Sequence, residues 1–262
     1  MWLNDKDGDC VTAEEAFNKA CDGILIADDT VQAWASANNV LNGADLDQVL
    51  QLMQSAGFSQ DGNTYDDGPA TSVDWTTPAV LQSALSQGRV KIGVAADQLE
   101  ALQSSTTIGV SNGWLATGFT KDTNEDHCVS LCGYGTIAWL AQQLGGTVPP
   151  GVDGTQIGYA MFTWKSIGII DEPSLLAITG EAWLRSPTTK IVGTGKPAPD
   201  VVTTYPTPAP APPAPVPTGP ATLANAQAWA AAGIQGGDPL QSQADAITNA
   251  NAGLAKYWPS GS

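Results

Sequence analysis

The sequence predicts an α+β domain followed by a proline-rich spacer and a helical tail. Helical patterns fill most of residues 9–85, strand patterns take over from Arg89, and ten prolines crowd the stretch from Pro197 to Pro220. The first two observations place helices and sheet in one domain, 1–192. The third closes that domain with a linker, 193–220, and leaves 221–262 as a tail.

Asp9 is a candidate N-cap, and Ala13, Phe17, Cys21 and Ile24 recur on nearly one helical face. Cys10 falls close to that face, so its thiol is expected to point inward. Gly23 breaks the pattern, and Val31-Gln32-Ala33-Trp34 starts another short helix. Residues 46–53 form a further amphipathic helix stopped by Gly57, and 59–77, rich in Asp, Gly, Asn and Thr, read as a surface loop. Pro78 opens a helix through Leu85, with Gly88 as its stop. Residues 89–95 alternate polar and apolar side chains, as a half-buried strand does. Residues 97–126 are mixed. A strand over 128–131 is followed by a turn at Gly133-Tyr134-Gly135, and a second strand over 158–164 ends at Lys165-Ser166. A helix around 173–177 and an apolar close at Trp183-Leu184 complete the domain.

The proline-rich stretch favours extended polyproline II, about 3.1 Å per residue, and acts as a semi-rigid spacer. Beyond it Thr222 caps a helix through Ala232, and Asp238-Pro239 opens another through Leu254. The two share a loose motif, Ala230-Ala231-Ala232-Gly233-Ile234 against Ala250-Asn251-Ala252-Gly253-Leu254. This tail is too small to be stable alone. It is expected to dock, through residues 221–258, on a protein partner, a second copy or the main domain.

The formal charge is −16, from 26 acidic and 10 basic side chains, with no Lys/Arg cluster. Nucleic acid and anionic membrane surfaces are therefore poor partners. No apolar run approaches the roughly 20 residues of a membrane span. The four cysteines read as reduced, because a chain this long builds its own core.

The chemistry concentrates at Asn4-Asp5-Lys6-Asp7-Gly8-Asp9-Cys10 and at the one histidine, His127. A thiol at a helix start meets unpaired N–H groups and a partial positive charge, which favour thiolate and can hold an oxyanion. Asp9 opposes this, since a neighbouring negative charge raises a thiol pKa. The bland alternatives are a small buried hydrophobe for Cys10, a core imidazole for His127 and a turn residue for Asn4. Residues 5–9 also mimic a calcium loop, but Cys10 stands where that loop needs Gly and Ala16 where it needs Glu. No metal-ligand spacing, phosphate loop or dinucleotide fingerprint appears, so no metal or cofactor is expected.

Taken together, these segments resemble the papain-like cysteine peptidases, and more closely a divergent bacterial and phage branch with an Asn-Asp-x-x-Gly-Asp-Cys signature. Asn4 stands six residues before Cys10, where the family carries an oxyanion-hole Gln. Residues 81–85 and 90–95 are similar to the family's helix and first barrel strand. His127-Cys128-Val129-Ser130-Leu131-Cys132-Gly133-Tyr134-Gly135 resembles its general-base strand. The resemblance covers about residues 1–186. It implies an N-terminal helical half with Cys10 on the central helix and a C-terminal antiparallel β-barrel or sheet half. It implies Cys10 as nucleophile and His127 as base, with a peptide or amide substrate. Three departures stand out. Val11 follows the Cys where an aromatic residue is usual, and Phe162 stands where the family's His-orienting Asn belongs. That leaves the Thr163 hydroxyl or a backbone carbonyl to orient His127. The chain also begins nine residues before Cys10, which reads Met1 as the end of a shortened chain.

Two functions remain open. One is a cysteine hydrolase whose Cys10 alkylates fast and titrates below the ordinary thiol value near 8.5. The other is a phage or virion structural protein that keeps the scaffold with weak or no catalysis and docks by its tail. The start lacks the basic and apolar regions of a signal peptide, leaving a cytoplasmic or virion-associated location.

Overall fold

A computed structural model describes residues 2–192 apart from 5, 103–104, 111–112, 165 and 187, so the expected linker and tail lie outside the described residues. Three helices come first: α1 (Cys10–Cys21), α2 (Asp28–Ala37) and α3 (Leu46–Ser55). Gly23, at φ 79°, ends the α1 segment as the sequence suggests. Next come strands β1 (Phe58–Gln60), β2 (Asn63–Asp67) and β3 (Thr71–Ser72), helix α4 (Pro78–Leu85) and strand β4 (Val90–Val94). The rest comprises α5 (Asp97–Glu100), β5 (Leu115–Ala116), β6 (His127–Thr136), α6 (Ile137–Gln143), β7 (Ile157–Thr163), β8 (Ser166–Asp171), α7 (Glu172–Ile178), β9 (Thr179–Leu184) and β10 (Thr188–Val192).

The strands form a seven-stranded sheet, β3-β9-β4-β6-β7-β8-β5, and a three-stranded sheet, β1-β2-β10. The β5–β8 pair is parallel and the others are antiparallel, so the large sheet is mixed rather than wholly antiparallel. One face is aliphatic: Val90, Ile92, Val94, Val129, Leu131 and Met161 share a core with α4 and α7 residues. On the other side Phe17 and Cys21 of α1 pack with Cys132, Ala160 and Phe162. Helix α1 is buried almost all round, charged residues included.

Four expectations give way. The 59–77 loop is largely a β1–β2 hairpin, in which Gln60 pairs with Asn63 around Asp61 (φ 53°) and Gly62 (φ 76°). Two successive left-handed residues make the two-residue turn that matches strand twist. The Gly133-Tyr134-Gly135 turn is instead a continuation of β6, paired with Ala160, Tyr159 and Gly158. Its glycine makes room, since a Cβ on Gly135 would lie 2.7 Å from the Trp139 ring. Residues 166–171, left without a strand in the sequence reading, form β8 against β7. Strand β4 is central and buried at every residue, because β6 and β9 flank it and α1 and the aliphatic core cover its faces.

Candidate active site

Cys10 is the first residue of α1. The Asp9 carbonyl accepts the Thr12 and Ala13 amides at 2.9 and 2.8 Å, which starts the helix directly after Asp9. That helical start excludes the calcium-loop conformation. The expected side-chain cap is not formed. Both Asp9 carboxylate oxygens are buried without a partner, and burial together with Asp7 pushes this carboxyl up to about 7.

Asn4, Cys10 and His127 line one cleft of about 1010 Å³, together with Gly8, the Asn42-Gly43-Ala44-Asp45 turn and Trp164. The Gly43 amide donates to the Gly8 carbonyl at 2.7 Å, pinning that turn beside the approach to α1. Asn4 sits half-buried in the turn that precedes the helix. The half-buried Cys10 thiol lies close enough to the backbone of Cys128, the residue next to His127, for that backbone to act against the rise of its pKa. The nucleophile candidate and the base candidate are thus brought to the same end of β6.

His127 opens β6 opposite Val94. Its Nε2 lies 2.9 Å from Thr163 Oγ1, and its ring stacks on Trp164 with centroids 4.4 Å apart at 11°. Trp164 adopts φ 44° at the end of β7. A bulky residue in the left-handed region is strained, and here that conformation accompanies the indole lying over the imidazole. Phe162, standing where an Asn was expected, stacks instead on Phe17 of α1 with centroids 3.6 Å apart.

The electrostatics run against a resting ion pair. Burial pushes the Cys10 thiol above its ordinary value, with the Cys128 backbone and Lys91 working the other way. That is opposite to the direction expected from the helix N-terminus, because desolvation outweighs the helix end. Burial also lowers His127 to about 4, with Asp126 opposing. Both groups rest neutral near pH 7.

The sequence reading missed the buried ions behind the site. Lys91 of β4 pairs with Glu15, and Arg185 approaches Glu15 at 3.6 Å. Lys19 bonds Asp67 at 2.9 Å. Burial alone would raise Glu15, but Lys91, Arg185 and Lys19 hold it well below the usual carboxylate range. Lys91 had the alternation of an outward-facing residue, and nothing local marks it as buried. Among the described residues all four cysteines are free, no cluster of His, Cys, Asp and Glu is placed to hold a metal, and no helix is long and apolar enough to cross a membrane.

No family model matches the chain, and no curated protein matches it. Among solved structures it is similar to bromelain from Ananas comosus in complex with the E64 inhibitor: 11% identity, TM-score 0.48, covering 70% of this chain and 91% of that one. It is also similar to the proform of Amb a 11, a cysteine protease and major ragweed pollen allergen, in two structures. One has 12% identity and TM-score 0.45 over 69% of this chain, the other 12% and 0.46 over 77%. The chain spans 59% and 58% of those two proform chains. At such identities and TM-scores these neighbours say nothing of activity, which is read from the site alone.

Proposed function

We propose that the protein is a papain-like cysteine hydrolase acting on a peptide or amide bond, with Cys10 as nucleophile and His127 as general base and acid. The observation that carries this reading is the shared cleft: the chain's one imidazole and a thiol at a helix start line it together with Asn4. With Nε2–H donating to Thr163 Oγ1, His127 keeps Nδ1 free to take the thiol proton. Because both groups rest neutral, proton transfer accompanies attack instead of preceding it. Sulfur adds to the carbonyl carbon while the Cys10 backbone N–H and the Asn4 amide hold the oxyanion. His127 then protonates the leaving nitrogen as the C–N bond breaks. Water, deprotonated by His127, cleaves the thioester and returns the thiol.

A second reading is a structural protein, virion or otherwise, that retains the scaffold with little turnover. It is favoured by the raised thiol and lowered imidazole, which leave little thiolate at neutral pH. Hydrolysis of fluorescein-labelled casein and of a mixed-sequence fluorogenic peptide pool separates the two. The hydrolase reading expects turnover by the native chain that Cys10→Ala abolishes and His127→Ala lowers at least a hundredfold. Absence of turnover, or turnover that survives Cys10→Ala, would leave the structural reading standing.

A further inference from the structure

We infer that Lys91 is a positioning residue for Cys10, clamping the first turn of the nucleophile helix to β4 and setting a positive charge behind the thiol. The inference rests on Cys10 being the nucleophile. Lys91 is fully buried, and its ammonium donates to the Val11 carbonyl at 3.0 Å and to Glu15 of α1. Val11 directly follows Cys10, so one of these two bonds grips the carbonyl of the residue beside the nucleophile. The other grips the helix one turn further on.

The same strand reaches the base. Lys91 pairs with Ser130 of β6, and three residues along β4, Val94 pairs with His127. Strand β4 is therefore tied to α1 through one side chain and to the start of β6 through its backbone ladder. Thiol and imidazole are held in relation to one rigid element. Arg185 reinforces the arrangement, donating to the Glu14 carbonyl at 3.1 Å and to Ser130 Oγ at 2.8 Å.

A buried ammonium is costly unless paired, and removing one partner leaves the other uncompensated. Its retention on an interior strand, on the face turned toward α1 and away from the aliphatic core of Val90 and Ile92, calls for a reason. The charge itself supplies one. Lys91 acts to lower the Cys10 thiol pKa and Glu14 to raise it. The titratable and charged groups around Cys10, Lys91 and Glu15 are Asp7 and Asp9 in the preceding turn, Glu14 and Lys19 on α1, Asp67 on β2, His127 and Cys128 on β6, and Arg185 after β9. Within this set the Lys91–Glu15 pair can be changed one charge at a time.

The test reads iodoacetamide alkylation of Cys10 against pH by mass spectrometry on the full chain, which needs no turnover. Lys91→Met is expected to move the midpoint up by about one pH unit, and Glu15→Gln, which removes the countercharge, to move it down. Loss of packing alone would move both in the same direction, and that result, or no movement in either, overturns the inference. If Lys91→Met does not fold, Glu15→Gln decides alone: a downward shift supports the clamp's charge, and an unchanged or raised midpoint overturns it. Turnover that survives Cys10→Ala would instead defeat the nucleophile reading, whatever the midpoints do.

Discussion

At His127 two contacts of different kind hold one ring: a hydrogen bond from Nε2 to Thr163 and a stack on Trp164. The stack fixes the plane of the ring but not which of its two flipped orientations it takes. Only the hydrogen bond selects the tautomer and the direction in which Nδ1 points. On the proposed hydrolase reading, Thr163→Val, which keeps the shape and removes the hydroxyl, is expected to lower kcat about ten- to a hundredfold with KM little changed. Thr163→Ser retains the acceptor and should restore most of that loss; a Val variant as fast as the native chain would remove Thr163 from the site. That Cys10 and His127 share a cleft was legible in the sequence, because a lone histidine and a thiol at a helix start leave few pairings. Thr163 was legible only as the neighbour of a misfit. Successive strand residues face opposite sides, so Phe162 turns toward Phe17 and leaves Thr163 to meet the imidazole. Trp164's role could not be read, because it depends on a left-handed backbone at a position that sequence gives no reason to strain.

Among the elements, α1 and β7 meet at the Phe17–Phe162 stack, one of the contacts that seats the Cys10 helix on the sheet. Phe162 is 4% exposed and Phe17 2%, so truncating either opens a cavity that rigid neighbours close only partly. Phe162→Ala is expected to cost about 3–5 kcal/mol in denaturant unfolding, with the m-value unchanged. A cost below about 1 kcal/mol would mean that α1 is held by its ion pairs and not by this stack. Element identity was legible where one period ran uninterrupted. Helices α1, α3 and α4, and strands β4 and β7, lie close to their expected places. The hairpin carried its own signal in Asp61-Gly62, a pair suited to a two-residue turn, but the surrounding polar residues hid it. Strand β8 was hidden for the opposite reason: Ile167-Gly168-Ile169-Ile170 has no alternation, because it is buried on both faces and Trp114 occupies the space of a Gly168 side chain.

For the whole molecule, the net charge of −16 goes with a set of ionisable groups buried in the core. Which charges turn inward depends on what the finished sheet places opposite them, so no local pattern announced Glu14, Glu15, Lys19 or Lys91. These groups tie stability to pH. Burial raises Glu14 to about 8 and Asp9 to about 7, so the folded chain keeps protons that the unfolded chain gives up near their ordinary values of 4.5 and 3.8. Their contribution is full below those ordinary values and is lost as pH rises toward 7–8, at about 1.4 kcal/mol per pH unit for each group. His127 runs the other way. Its folded value of about 4 lies below the ordinary 6.5, so its contribution is present above 6.5 and lost as pH falls toward 4. Glu15, held low by its cations, likewise loses its contribution below the ordinary 4.5. Asp67 and Glu125, raised by burial to about 6 and about 7, add to the fall, so above about pH 4.5 the falling terms outweigh the one rising term and stability declines to pH 8. Glu14→Gln removes one falling term while keeping a group that can bond Ser130, so the drop in Tm between pH 5 and pH 8 should shrink. Thermal unfolding of both chains across that range measures it, and a native Tm that climbs from pH 5 to pH 8 would mean that Glu14 and Asp9 are ionised in the folded protein.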